Sequence, residues 1–293
     1  MANLKEVRTR IESVNSTKQI TSAMKMVAAS KLRKSQNAIM ALRPYAEKFS
    51  EMLALAQSAD NAQQTSVFVE NREVKRTLVI PLSSNKGLCG VFNANIIRAT
   101  VNLIKEKYQS FLDDNRLDIL CIGSKVEEAL KSRKYPVIEN ENALLDDLTY
   151  ENAAAFAERL MNEFTENKYD EIVFVYNQFK NAATQTLVTE QFLPIRLQAN
   201  DSGQQTDIDF IFQPGKEDIL DTMLPKSLKM QVYKILLDSF ASEQGARMIS
   251  MTQATDNATE LLKELNLTYN KARQSAITNE LVEIVSGADA LKG

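Results

Sequence analysis

The 293-residue sequence contains no histidine and no tryptophan, and it has only eight glycines and six prolines. Without histidine there is no Ser/His or Cys/His dyad and no histidine-containing zinc or haem site. The scarcity of glycine and proline favours long helices over many short strands and hairpins. The two cysteines, Cys89 and Cys121, are too few for a disulfide framework or a four-cysteine metal site. We therefore expect no metal and no cofactor.

Long apolar runs are missing as well. No run approaches the roughly 20 residues that span a bilayer, and the amino terminus is polar from Asn3 onward, without the apolar core of a signal peptide. We expect a protein of the cytosol, or of a membrane surface that faces it.

A heptad pattern runs through the first 57 residues, which contain no glycine and one proline, Pro44. From Leu4 to Leu53, positions spaced alternately by three and four residues are apolar at both ends of the segment. Polar residues, among them Lys18 and Lys25, occupy the middle of this seam. The pattern predicts one long helix over residues 1–57 that pairs with another helix.

A second proline-free stretch extends from Lys226 to the carboxyl terminus and predicts a second long helix, with Pro225 at its start. At 1.5 Å per residue the two helices would be roughly 85 and 100 Å long. If they lie antiparallel and begin level, the second helix extends beyond the first by about nine residues. That end is apolar, which predicts a partner with an apolar socket.

Between the helices, apolar runs of strand length at 77–82, 118–122 and 171–176 alternate with helical patterns near 91–109, 124–133 and 151–167. This alternation predicts a Rossmann-like α/β domain with a parallel or mixed sheet. Partial alternation at 184–195 and 207–212 adds one or two edge strands. The expected fold class is therefore α/β, a long antiparallel coiled coil (1–57 and 216–293) with an inserted α/β domain (58–215).

The turn from Ser83 to Gly90 follows the first strand and opens a helix, where α/β proteins bind phosphates. Its glycines match neither the P-loop nor the dinucleotide-binding spacing. We interpret the turn as structural and Cys89 as a small buried side chain. A nucleotide-binding enzyme on the α/β domain stays open as an alternative.

Charge is distributed unevenly, since residues 1–50 hold ten Lys and Arg against three Asp and Glu, although the net charge of the chain is −3. This excess, and the lysines in the seam, predict an acidic partner. Nucleic acid is disfavoured because no aromatic residue precedes Tyr45 and the whole chain is acidic.

Several motifs occur in one order from the first helix to the last. They are ITSAMKMVAASKLRK (20–34), RPYA (43–46), GLCG (87–90), SEQGARM (242–248), ATDN (254–257), YNKARQ (269–274) and ITNELVEIV (277–285). In these motifs the sequence resembles the gamma subunits of F-type ATP synthases, most weakly between about 100 and 240.

The resemblance implies a central rotor shaft inside a ring of three alpha and three beta subunits. It also implies that the α/β domain contacts the epsilon subunit and the ring of c subunits, and that the chain reaches the membrane only through that ring. The lack of a transit peptide predicts a place peripheral to the cytoplasmic face of a bacterial cell membrane, with a processed mitochondrial chain as the alternative. The chain would perform no chemistry of its own, while rotation couples ion flow to ATP synthesis or hydrolysis. A static coiled-coil adaptor is the alternative from another class.

The resemblance also implies three sets of partner-binding residues. A set facing acidic loops of the beta subunits comprises Met24, Lys25, Lys31, Arg33 and Lys34. A set reaching catch-like contacts with the ring comprises Arg247, Gln253 and Asp256. An apolar set turning in a sleeve at the top of the ring comprises Ile277, Leu281, Ile284 and Leu291. The loop from 198 to 212 is expected to belong to the foot.

Overall fold

A computed structural model of the chain describes residues 4–58, 68, 72–182, 184–195 and 216–290. Helix α1 (Leu4–Ser58) and helix α6 (Lys216–Ala290) flank an α/β region in sequence. The chain divides into two compact units, one formed by Met1–Ala29 with Arg247–Gly293 and the other by Ser30–Ala246. Each long helix contributes one segment to each unit.

The first unit is a coiled coil of the two terminal helices. On α1, every seam position from Leu4 to Ala28 is buried or partly buried, including those of Lys18 and Lys25. On α6, the buried side chains of Met251, Ala258 and Leu265 recur at the heptad interval. The helices therefore pack along the seam that the sequence pattern predicts.

A pair of threonines sets the register of this coiled coil, because the Oγ1 atoms of Thr21 and Thr255 lie 2.9 Å apart. Counting away from this pair in antiparallel directions brings Leu4 opposite Ala272. The described side chains of α6 beyond Ala272, as far as residue 288, are all exposed. Burial on α6 thus ends where α1 begins, which confirms an antiparallel pair.

The second unit contains a five-stranded sheet in the order β3-β2-β1-β4-β5. Its strands are β1 (Thr77–Pro81), β2 (Leu117–Cys121), β3 (Val137–Asn140), β4 (Glu171–Phe179) and β5 (Gln185–Leu193). The pairs β1–β2, β1–β4 and β2–β3 are parallel, and β4–β5 is an antiparallel hairpin. The sheet is therefore mixed, with its one antiparallel strand at an edge.

Helices cover both faces of this sheet. They are α2 (Phe92–Lys107), α3 (Gln109–Asp113), α4 (Ser124–Ser132) and α5 (Tyr150–Thr165), with a 3₁₀ turn at Asn142–Leu145. Successive side chains of a strand point to opposite faces, so Leu78 and Ile80 pack with α5 and with the start of α6. Val79 packs with α2 and α4 on the other face. Coverage of both faces explains why the central strands are continuous apolar runs.

The start of α6 differs from the prediction. The helix begins at Lys216 and contains Pro225, which the sequence pattern placed at its start. Proline in a helix interior loses one hydrogen bond and costs about 3 kcal/mol. Leu224 and Leu228, on either side of it, are both buried, and this packing offsets the local cost.

Two short elements, β3 and α3, were not predicted. Strand β3 has four residues, of which Ile138, Glu139 and Asn140 are exposed, so it lacks an apolar run. Helix α3 has five residues and no buried side chain. The strand expected at 207–212 lies outside the described residues.

Candidate functional site

The set expected to face acidic loops lies on α1. Met24 and Lys25 belong to the first unit and are partly buried, because they lie in or beside the coiled-coil seam. Lys31, Arg33 and Lys34 belong to the second unit and are exposed. The three exposed cations are therefore accessible from solvent, whereas Lys25 packs within the coil.

The set expected to make catch-like contacts with the ring lies on α6, and its members differ in how deeply they are buried. Gln253 and Asp256 are exposed on the coiled coil. Arg247 is 9% exposed. A partner can therefore reach the first two side chains directly, whereas Arg247 is largely enclosed by the chain itself.

The apolar set lies beyond the end of the coiled-coil seam. Ile277, Leu281 and Ile284 are 51%, 57% and 62% exposed, and the neighbouring Val282 and Val285 are exposed to a similar extent. Leu291 lies outside the described residues. We call residues 277–285 the apolar tip, since its large aliphatic side chains are exposed and no described residue of the first unit covers them.

Sequence reasoning missed a further group of exposed apolar side chains on α1. Ile20, Met26 and Val27 lie outside the heptad seam and are between 58% and 65% exposed. Their apolar character at positions outside the seam was the feature of the sequence that could have revealed them. These side chains border the seam in the first unit and add apolar surface to it.

The turn after β1 is closed by its own hydrogen bonds. Ser83 Oγ accepts a hydrogen bond of 3.0 Å from the amide of Val126, and Asn85 Oδ1 accepts one of 3.2 Å from the amide of Ser124. Both amides belong to the first turn of α4, where a phosphate would bind. A side chain at Gly123, which has φ of +105°, would place Cβ 2.4 Å from Ser83 O. This tight contact supports the interpretation of a structural turn.

Both cysteines are buried in the second unit. Burial raises the pKa of the Cys121 thiol to about 12, with a smaller contribution from Glu127. A protonated, enclosed thiol is a poor nucleophile. The placement of Cys89, at 2% exposure, agrees with its expected role as a small core side chain.

Within the second unit, Ser242 and Gly245 of the SEQGARM segment lie against the β4–β5 hairpin. Ser242 Oγ donates a 3.0 Å hydrogen bond to the carbonyl of Asn177, and Gln185 Nε2 donates a 3.2 Å bond to the carbonyl of Ser242. A Cβ atom at Gly245 would lie 3.3 Å from the Cα atom of Ala182. We call these residues the hairpin clamp, because they fix both the position and the rotation of the helix on the sheet.

A buried carboxylate lies one turn before the clamp. Asp238 is 5% exposed, and burial raises its pKa to about 6. Lys234 lowers this pKa, Glu190 raises it and Arg43 lowers it. Glu190 itself accepts hydrogen bonds from Tyr176 and from Gln231, at 2.6 and 2.7 Å. Hydrogen bonds of Glu190 thus connect the hairpin to α6 within the second unit.

Over the part of the chain that the structure describes, no group of three or more Cys, Asp and Glu residues is arranged to hold a metal ion. Among the same residues, no helix is long and apolar enough to cross a membrane. The described surfaces are therefore characterised by exposed basic side chains, exposed apolar side chains and a hydrogen-bonded turn.

The sequence was compared with protein families and with curated relatives. The family model described as ATP synthase matches residues 3–291. The chain belongs to the ATP synthase gamma-chain family. It is 53% identical to the ATP synthase gamma chain of Christiangramia forsetii over 293 residues, with 100% of both chains covered. It is 52% identical to that of Flavobacterium psychrophilum with the same coverage, so the predicted resemblance is confirmed.

Solved structures agree with the fold. The rotor of the Euglena gracilis mitochondrial ATP synthase in rotational state 1 superposes with a TM-score of 0.63 at 20% identity, covering 94% of this chain and 98% of that one. The central stalk and c-ring structure from Tetrahymena thermophila contains a chain with a TM-score of 0.57 at 26% identity, covering 80% of this chain and 99% of that one. The predicted fold class, a coiled coil of terminal helices with an inserted α/β domain, is confirmed.

Proposed function

We propose that the chain is the central rotor shaft of an F-type ATP synthase. In this function it turns inside a ring of three alpha and three beta subunits and couples transmembrane ion flow to ATP synthesis or hydrolysis, without chemistry of its own. Its α/β domain contacts the epsilon subunit and the c ring, which hold it at the cytoplasmic face of a bacterial cell membrane. The observation that carries this proposal is identity of 40% to 53% with ATP synthase gamma chains over essentially the whole chain.

The coiled coil supplies an asymmetric surface, as a shaft of this kind requires. A single pair of helices has no threefold symmetry, so it presents a different face to each of three identical catalytic subunits. A partner's conformational equilibrium shifts only when the contacts differ between its states. Rotation of the shaft then exchanges the three states among the subunits.

The exposed basic residues supply attraction to acidic loops of the beta subunits. Lys31, Arg33 and Lys34 are exposed on α1, and their attraction to a carboxylate falls off beyond about 8 Å at physiological salt. Close approach is therefore needed at each step. We assign Met24 and Lys25 to the same contact, and Gln253 and Asp256, with the enclosed Arg247, to contacts with the ring.

The apolar tip supplies contact that is not directional. Apolar attraction depends on the buried area and not on the alignment of donors and acceptors. An aliphatic surface can consequently turn within an apolar sleeve with less resistance than fixed hydrogen bonds would impose. We extend this tip contact to Leu291.

The hairpin clamp supplies resistance to twisting of α6 against the sheet. Torque on a helix reaches the α/β domain only where side chains prevent the helix from rotating. Ser242 and Gly245 are both buried in the second unit. Ser242 is bonded to the backbone of β4, and a Cβ atom at Gly245 would lie 3.3 Å from the backbone of the turn after β4. The clamp is thus suited to pass rotation between the helix and the domain.

Reconstitution tests the shaft against the static adaptor and the nucleotide-binding enzyme. We expect the chain to join purified alpha and beta subunits as one copy per three of each and to increase ATPase activity strongly. Lys25→Glu should weaken this gain, whereas Lys105→Glu, at an exposed lysine of α2, makes the same charge change as a control. Failure to join the ring would favour the adaptor, and nucleotide turnover by the chain alone would favour the enzyme.

A further inference from the structure

An open cleft of about 380 Å³ lies on the outer side of α5, between that helix and the end of β3. Its floor is apolar and is formed by Ala143, Leu144, Ala155 and Phe156. Ala143 and Ala155 are exposed, whereas Phe156 is buried. The cleft therefore offers an accessible apolar surface for side chains of another molecule.

The sequence around these lining residues is rich in carboxylates. Between Lys134 and Arg159 the sequence contains no Lys or Arg, and it contains six Asp and Glu residues. They are Glu139, Glu141, Asp146, Asp147, Glu151 and Glu158, and all but Glu141 are exposed. This surface is consequently acidic over a longer distance than the cleft itself.

One hydrogen bond and the geometry of α5 place two of these carboxylates beside the cleft. Asn152, which lines the cleft, donates a 3.2 Å bond to Asp147 Oδ2. Glu151 precedes Asn152 in the first turn of α5, and Ala155 follows one turn later on the same face. The acidic groups and the apolar floor are thus parts of one surface.

The positive charge in the cleft is already offset. Arg159 Nη1 lies 3.0 Å from Glu139 Oε1 and 2.8 Å from Glu141 Oε1, and Glu158 is paired with Lys229. After these pairs are set aside, Asp147, which is bonded to the lining residue Asn152, and Glu151, which precedes it in α5, remain exposed beside the cleft. The net charge that an approaching molecule meets is negative.

We propose that this cleft is a docking site for a basic segment of another protein, with an aliphatic side chain on the floor and Lys or Arg side chains against the rim. Charge complementarity favours this occupant, because opposite potentials steer association and disfavour acidic partners. The distribution of carboxylates beyond the cleft favours a chain with several cations over a small ligand. The proposal concerns the α/β unit alone and does not depend on the shaft function.

A site-specific photo-crosslinking experiment tests the proposal. Ala155→p-benzoylphenylalanine is introduced in the full chain, the assembly that contains it is purified and irradiated, and the cross-linked peptide is identified after cleavage with a Glu-specific protease. We expect one intermolecular product on a segment that has two or more Lys or Arg residues and an aliphatic residue between them. Asn152→p-benzoylphenylalanine, one turn earlier on α5, is the second site if the first variant does not assemble.

Charge reversal then tests the electrostatic part. We expect Glu151→Lys to lower the cross-linking yield about fivefold at physiological salt, while Glu106→Lys, at an exposed carboxylate of α2, leaves the yield unchanged. Absence of an intermolecular product at both positions would overturn the proposal. So would a product on an acidic or uncharged segment or on a second copy of this chain, or equal losses from the two reversals.

Discussion

Deletion of residues 277–293 should leave the folding stability of the chain nearly unchanged and weaken its assembly with partner subunits. The described side chains in this segment are exposed, and the seam of the coiled coil ends at Ala272. Removal of exposed side chains away from a packed core changes the free energy of unfolding by no more than about 0.5 kcal/mol. The truncated chain should therefore unfold at nearly the same urea concentration as the full chain.

Assembly should respond differently to this deletion. Complete burial of a Val, Leu or Ile side chain stabilises by about 1.5–3 kcal/mol, and the aliphatic residues of the apolar tip are 51% to 62% exposed. For Ile277, Leu281, Val282, Ile284 and Val285 together, a socket can therefore contribute about 4–8 kcal/mol before ordering costs. If one third of that free energy remains after the ordering costs, deletion of the segment should lower the affinity of the chain for the alpha and beta subunits about tenfold or more.

The assay combines urea unfolding of the purified chain with titration of it into alpha and beta subunits, followed by ATPase activity. Replacement of the five aliphatic residues by serine keeps the chain length and should reproduce the loss of affinity. Leu265→Ala, in the buried seam, is the converse control, because it should lower stability by about 2–5 kcal/mol. The reasoning is refuted if the truncated chain is destabilised by more than about 2 kcal/mol, or if it assembles as tightly as the full chain.

Three further outcomes follow from buried groups of the second unit. Because burial raises the pKa of Asp238 from its ordinary value of 3.8 to about 6, the free energy of unfolding should fall as pH rises between these values and level off above them. Asp238→Asn should flatten that profile in urea titrations and raise stability at pH 8 by about 1–2 kcal/mol. Cys121, whose thiol pKa is raised to about 12, should react with a thiol reagent at neutral pH only as fast as the chain unfolds, which stopped-flow measurement in increasing urea can check. Ser242→Ala should lower the free energy of unfolding by about 1–3 kcal/mol, because it leaves the Asn177 carbonyl without this hydrogen bond. Gly245→Val should lower it by about 1–3 kcal/mol, because the added side chain crowds the turn after β4. Amide hydrogen exchange over α6 should become faster in both variants, and unchanged exchange would contradict the clamp.

The surfaces of the coiled coil could be anticipated from the sequence to different degrees. The heptad spacing predicted which α1 side chains are enclosed, because a seam position is defined by its interval alone. It also predicted an apolar end of α6 beyond the partner helix, but the length estimate of about nine residues was too short, since the described side chains are exposed from Arg273 to residue 288. The estimate began the helix next to Pro225, whereas α6 begins at Lys216. The exposure of Met26 and Val27 was missed, since apolar character alone does not say whether a residue faces the seam.

The α/β domain was predictable where strands are long and buried, and less so elsewhere. The runs at β1, β2 and β4 were recognised because both faces of these strands are covered, which makes them continuously apolar. Strand β3 escaped because three of its four side chains are exposed. The acidic cleft depends on residues of β3, of the 3₁₀ turn and of α5 that only the fold brings together.

Taken by itself, the sequence determined the long helices, the antiparallel coiled coil, the alternation of strands and helices and the family of the chain. These properties depend on intervals, lengths and motifs that are local in the chain. The tertiary structure decided that α6 continues through Pro225, that Ser83 and Asn85 occupy the amides of α4, and that Gly245 contacts the turn after β4. Each of these depends on contacts between residues far apart in sequence, whose packing and hydrogen bonds outweigh local preferences.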